Sequence, residues 1–345
     1  MIDTAIVGQY LGEEKLASVG ASSSVQFLVL GFCMGICCGF AIPVSQHFGA
    51  KNIQKMKEAI FHAGALSILF AAVITTACAI LCPNILHILS TPENIFDDAY
   101  SYLFIIFLGI PFTILYNLLS GLLRAVGDSK TPFLFLVFSS ILNIILDLTF
   151  IIAFKLGVSG AALATIMSQG VSGLLCLIYI IKKFPVLCIS KEHCHIQSDM
   201  TKQMIIMGVP MGLQYSITAI GSMVMQSANN GLGSIYISGF TAGMRIKQFL
   251  MCPFDAIATA ASTFCSQNFG AGNLKRINEG LKKGVTMGVC YGLISGLILI
   301  LFGRTLSLLF IKANATAVLD ASSKYLACLG YFFWALGILN VCRMS

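Results

Sequence analysis

Residues 45–52 read SQHFGAKN, and 221 positions later residues 266–273 read SQNFGAGN. Six of the eight residues are identical with no gap, which chance explains poorly. The same offset carries Leu11-Gly12 onto Leu232-Gly233, Lys55 onto Arg276 and Glu58 onto Glu279. Each copy follows a long apolar stretch and precedes a basic amphipathic one, so the two halves occupy equivalent places in one plan. Structural arrays repeat at roughly 20–50 residues and expose polar surfaces. The long offset here points to a duplicated bundle.

The flanking segments identify the medium. Of 345 residues, 57% are hydrophobic and only 10% charged, with a mean hydropathy of +0.89. A soluble domain carries about 25% charged residues, so a large soluble helical core is excluded by its missing polar surface. Uncharged runs lie at 16–50, 59–92, 99–123, 156–181, 203–244 and 284–303. Roughly 20 apolar residues cross the hydrocarbon, and without water the backbone must satisfy its own hydrogen bonds, which selects helices. The expectation is an all-α polytopic membrane protein with helices at 1–9 (partial), 18–43, 60–82, 98–122, 132–153, 158–181, 204–229, 235–264, 284–303 and 320–342.

Loop charge sets the orientation. One set of loops carries Lys51, Lys55 and Lys57, then Arg124 and Lys130, then Lys182, Lys183, Lys191 and Lys202, then Lys275, Arg276, Lys282 and Lys283. The alternate set is poorer in bases and includes Glu93, Asp97 and Asp98. By the positive-inside rule the first set is cytoplasmic. Both repeat copies then face the same side, which makes the repeat parallel, about an axis along the membrane normal, as in paired transporter bundles. The net charge of +7 is a topology signal and does not imply nucleic acid. The expected organisation is two pseudo-symmetric six-helix bundles, residues 1–182 and 204–345, joined by a cytoplasmic loop at 183–203. Mapping one half onto the other predicts about ten helices here, with the first partial and two at the C-terminal end missing from a longer protein.

Several stretches together resemble the multidrug and toxin extrusion (MATE) family. They are Asp3-Thr4-Ala5-Ile6-Val7-Gly8 with Leu11-Gly12, the turns Gln46–Gly49 and Gln267–Gly272, and Leu122-Arg124-Gly127-Asp128-Lys130-Thr131-Pro132. Asn143-Ile144-Ile145-Leu146-Asp147 followed by Gly160-Ala161-Ala162-Leu163-Ala164-Thr165 completes the set. The resemblance implies a plasma (inner) membrane antiporter that expels organic cations or other xenobiotics while admitting Na⁺ or H⁺. It implies a coupling-cation cluster at Asp3, Asn143, Asp147 and Thr165, with possible Na⁺ at the first three. Independently, Asn143 and Asp147 are i and i+4 and share a helix face, and a carboxylate in mid-span is costly unless it pairs, protonates or binds a cation.

In the second half, Gln214 and Tyr215 stand where some family branches carry an acid in the seventh helix, which favours coupling through the first half. With Arg245 and Asp255 they form a candidate substrate cavity; for Lys247 and Asp255, lining that cavity and structural pairing are both open. No cofactor is expected beyond the coupling ion, and the protein is expected to be monomeric. His193-Cys194-His195 is too compact to wrap a tetrahedral metal, and His47, His62 and His87 read as packed or interfacial. Cysteines such as Cys33, Cys37, Cys38, Cys78, Cys290 and Cys328 lie in apolar segments as small hydrophobes. With no Walker sequence or nucleophile elbow, ATP-driven or hydrolytic activity lacks residues to carry it. The alternatives are a lipid-linked precursor flippase of the same wider superfamily and a non-transporting membrane scaffold.

Overall fold

The computed structural model describes residues 2–89, 91–230, 234–311 and 315–344, without the side chains of residues 2–5, 13, 191, 226, 227, 229, 230 and 234. Among the described residues eleven α-helices follow in chain order: α1 (Ile2–Leu11), α2 (Glu13–Gly49), α3 (Ile53–Ile88), α4 (Glu93–Leu108), α5 (Ile110–Ala125), α6 (Lys130–Leu148), α7 (Gly157–Lys183), α8 (Ser198–Asn230), α9 (Ser234–Gly270), α10 (Leu274–Ser307) and α11 (Thr316–Met344). Eight are long and apolar enough to cross a membrane, and α4 with α5 forms a further bent pair. This is a multi-pass membrane protein.

Most helices run past their apolar stretches. Helix α10 begins at Leu274, ten residues before its uncharged run, and its first turns carry exposed Lys275, Arg276, Lys282 and Lys283. Charge ends the membrane-embedded part of a helix, but the helix continues into water because its hydrogen bonds are internal.

The expected single helix at 98–122 is instead broken between α4 and α5, with a bend of 42°. Pro111 is the second residue of α5, in the first turn, where its missing N–H is harmless. A Cβ at Gly109 would stand 2.3 Å from Ile166 Cγ1, so glycine lets α7 pack into the bend. By contrast Pro43, Pro210 and Pro253 sit inside uninterrupted helices.

The duplicated octapeptide folds into the same turn twice. Asn52 N–H donates to His47 O at 3.0 Å, and Asn273 N–H to Asn268 O at 2.9 Å. Each asparagine then caps the next helix, accepting from Lys55 N–H at 3.1 Å and from Arg276 N–H at 3.2 Å. The preceding residue is left-handed in both copies, Lys51 at φ 56° and Gly272 at φ 69°.

The chain divides into two compact units, residues 1–48 with 52–220, and 49–51 with 221–345. In the first, α2 and α8 approach through glycines. Cβ atoms at Gly35 and Gly39 would stand 2.6 Å from Met211 O and 2.5 Å from Gly208 Cα. Lys15 and Asp98 pair between α2 and α4. The segment leading into α8 is held on α3 by buried His62. The ring Nε2 accepts from Gln197 N–H at 2.8 Å, so Nδ1 carries the proton donated to Glu58 O at 2.7 Å.

In the second unit, α10 and α11 pack antiparallel along small residues. Gly288 faces Gly337, Gly292 faces Trp334 and Gly296 faces Gly330 in constant register. The seam ends at a buried Ser307–Ser322 hydrogen bond of 2.8 Å and an Arg304–Asp320 pair at 3.4 Å. In lipid, helix association rests on such close packing, since tails are as apolar as leucine.

Two outcomes follow for stability in detergent. Gly292→Leu would drive a side chain into Trp334 Cα, 2.6 Å from the position of a Cβ; it is expected to cost about 2–4 kcal/mol and to lower the melting temperature sharply. His62→Leu leaves the Gln197 N–H without its acceptor at a cost of about 1–3 kcal/mol, and protease cleavage within 184–197 should speed up as that segment loosens.

Candidate cation site in the first helical unit

Asp147 has no exposed surface and is the one buried carboxylate among the described residues. It lies on the last turn of α6, directly before a π-helical turn, Thr149–Ala153. Such widened turns are uncommon and often occur where function needs an altered hydrogen-bond ladder. Thr149 Oγ1 donates to Ile145 O at 2.7 Å, while the chain leaves the widened turn through left-handed Lys155 and Gly157.

The surroundings at this level are apolar. Ile151, Val158, Ala161, Ala162, Ile6, Val7, Val19, Tyr102 and Ile106 form one buried cluster, with Ile144 and Leu148 packed on it. Helix α1 packs on both α6 and α7. Small residues on α7 permit close approach; a Cβ at Gly160 would stand 3.1 Å from Phe150 Cβ. A charge in such a setting costs far more than in water.

The α6–α7 register is fixed by two buried serines. Ser139 donates to Ser168 O at 2.7 Å, and Ser172 to Phe135 O at 3.0 Å. The antiparallel register therefore puts Asn143 at the level of Ala164 and Thr165, and Asp147 at the level of Gly160. Asn143 and Thr165 are half-buried. Thr165 Oγ1 donates to Ala161 O at 3.0 Å, which leaves its lone pairs as acceptors. Asn143 Nδ2 is buried without a hydrogen-bond partner. Three of the four expected residues thus fall on one pair of adjoining helices. The fourth, Asp3, lies on α1, the helix packed against both, but its side chain is outside the described residues.

The available donor set is one carboxylate with amide and hydroxyl oxygens. These are hard ligands suited to a small monovalent cation or to holding a proton. Among the described residues no group of three His, Cys, Asp or Glu side chains could hold a metal ion. The His193–His195 tract lies in the segment before α8, with Cys194 exposed.

The remaining candidates are divided between the units. Gln214 and Tyr215 are on α8 in the first, where Tyr215 Cβ would lie 3.6 Å from a Cβ at Gly31. Arg245 and Asp255 are on α9 in the second and are exposed. With Thr241, Gln248, Cys252 and Thr259 they make a polar stripe at alternating spacings of four and three residues. Lys247 projects from the opposite side, the one that bears buried Phe254 and Ala258. Adjacent in sequence to Arg245, it belongs to a different surface. Arg343 of α11, absent from the sequence reading, lies in the same unit as Asp255. Gln169 of α7, also absent from that reading, is one turn beyond Thr165, and its Oε1 is buried without a hydrogen-bond partner. The i+4 spacing from Thr165 was the sequence signal that could have found it.

The chain is 33% identical over 343 residues to the probable multidrug resistance protein YpnP of Bacillus subtilis, covering 98% of this chain and 75% of that one. It is 25% identical to the probable multidrug resistance protein NorM of Thermotoga maritima, covering 98% and 73%, and 23% identical to the FAD transporter of Shewanella oneidensis, covering 99% and 76%. Its fold matches the solved structure of an outward-facing multidrug resistance MATE family transporter of the MOP superfamily, with a TM-score of 0.90 at 22% identity over 99% of this chain and 78% of that one. A MOP superfamily transporter from Pyrococcus furiosus, described as having a binding pocket of reverse polarity, matches equally at 0.90, with 22% identity over 99% and 79%. The MatE family model matches residues 1–149 and 210–345, and the chain therefore belongs to the MatE family of membrane transporters.

Proposed function

We propose that the protein exports small xenobiotic molecules, organic cations among them, by antiport against Na⁺ or H⁺ in an alternating-access cycle. The observation supporting this reading is Asp147, a carboxylate with no exposed surface on a membrane-spanning helix, one turn along from Asn143, which the α6–α7 register sets level with Thr165. The multidrug relatives support the substrate class.

The coupling step is assigned to α1, α6 and α7. A buried carboxylate attracts a cation because a positive partner or a proton offsets its desolvation. Na⁺ would take oxygens from Asp147, Asn143 and Thr165, with Asp3 as the further ligand on α1. H⁺ would neutralise Asp147 and leave Asn143 and Thr165 as hydrogen-bond partners. Either event changes the charge at the junction of three packed helices, which gives the cation different affinities for different helix arrangements. Substrate contact is assigned to the stripe of α9 bearing Arg245 and Asp255, since a charged helix face is costly against lipid, and to Gln214 and Tyr215 of α8. The unit is a monomer within the lipid.

Reconstituted in vesicles with imposed Na⁺ or pH gradients, the protein is expected to expel a fluorescent organic cation. Asp147→Asn should reduce the gradient-dependent part at least ~10-fold, and Thr165→Ala less, because a lost cation ligand or its support typically costs ~10–100-fold. The gradient that drives efflux identifies the ion. Wild-type efflux from Asp147→Asn would overturn the site, and no efflux by the wild type under either gradient would overturn multidrug export and favour a lipid substrate.

A further inference from the structure

The α6–α7 seam holds more polar atoms than the cluster above uses. Ser139 and Ser172 are spent on carbonyls of the facing helix, and Ser168 donates to Thr165 O at 2.9 Å. Gln169 Oε1 and Asn143 Nδ2 are buried side-chain atoms of this seam without a hydrogen-bond partner. Burying an unpaired amide atom is unfavourable, so residues that leave one are candidates for a ligand that is present only part of the time.

Gln169 and the cluster line the same side of the seam. At about 100° per residue, Asn143 and Asp147 lie about 40° and 80° round α6 from Ser139. Thr165 and Gln169 lie about 60° and 100° round α7 from Ser168. For antiparallel helices facing each other these rotations run to the same side. Along the axis, the register pairs Gln169 with Phe138, about 13 Å from the Asp147 level and about 7 Å beyond Asn143. That direction leads to the end of the pair marked by Lys130, Lys182 and Lys183, the end the positive-inside rule places in the cytoplasm.

We propose that Gln169 is a second station for the coupling cation, its amide oxygen receiving the ion between the Asp147 cluster and the cytoplasmic end of α6 and α7. The proposal rests on the reading of Asp147 as the coupling carboxylate. Gln169 thereby sets the apparent cation affinity and the release of the ion, while Asp147 makes coupling possible at all. An amide oxygen is a hard, neutral ligand that can hold Na⁺ or hydronium and let it go.

The test uses the whole protein in proteoliposomes, with efflux of one organic cation measured against increasing Na⁺, or against pH if H⁺ drives transport. Gln169→Leu is expected to raise the half-saturating cation concentration ~10-fold with the rate at saturation largely kept. Its melting temperature should stay level or rise, because an unpaired buried amide has been removed. Gln169→Glu, which retains an oxygen at the same reach, should return half-saturation to the wild-type value or below. Unchanged half-saturation in Gln169→Leu, with Asp147→Asn inactive, would overturn the second station and leave the main site standing. A lower melting temperature with unchanged half-saturation would reduce Gln169 to a packing role. Wild-type coupling in Asp147→Asn would remove the main site and this inference with it.

Discussion

Hydrocarbon offers no hydrogen bonds, and almost every feature of this chain answers to that. Each backbone N–H and C=O must be satisfied within its own segment, which makes the architecture helical before any packing is considered. The same constraint extends to side chains: Ser, Thr and Cys in the spans bond back to the carbonyl four residues earlier, as in Thr165, Thr241, Thr259 and Cys252. What remains for joining helices is close approach. Gly35 and Gly39 against Gly208 and Met211, and Gly288, Gly292 and Gly296 against α11, supply it by omitting a side chain.

Against that background, and on the proposed cation reading, the α6–α7 pair divides its polar groups between two tasks. The serines hold the helices in register through cross-helix bonds under 3.1 Å. Asn143, Asp147, Thr165 and Gln169 sit on one side of the seam that the serines define. A seam made only of apolar residues would have fixed no register, and a seam whose every polar atom was spent internally would have nothing to offer a cation. The π-helical turn after Asp147 fits this division, because it alters the hydrogen-bond ladder beside the carboxylate without interrupting the span.

Much of this was legible in the sequence. The octapeptide repeat foretold two equal turns, and the structure shows why its asparagine and its small or left-handed residue recur: one caps the following helix and the other reverses the chain. Helix ends were read short because hydropathy detects the membrane and not the helix, as at Leu274. The break at Gly109 was hidden in a continuous apolar run, since only the fit of Ile166 against a glycine distinguishes a bend from a straight span. Lys247 and Asp255 looked alike as charges in a span, and separating them required the rotation of α9 and its packed face. Gln169 was missed because a glutamine in a membrane helix reads as ordinary interhelical bonding. Its lack of a partner is a property of the fold.

The two halves share a turn but differ along the helix that precedes it. Asp147 has no counterpart reachable by the 221-residue offset within this chain, while the stripe of α9 corresponds in α2 to Gly20, Ser24, Phe27, Gly31, Met34 and Cys38. Charge along α9 is thus matched by small or apolar residues along α2, and Gly31 and its neighbours serve close packing on α8. Duplication supplied one frame twice, and the polar residues then diverged within it. The first unit holds a buried carboxylate on α6. The second carries exposed charges of both signs along α9, Arg245 and Asp255, and charges ten residues apart on a helix stand about 15 Å from each other.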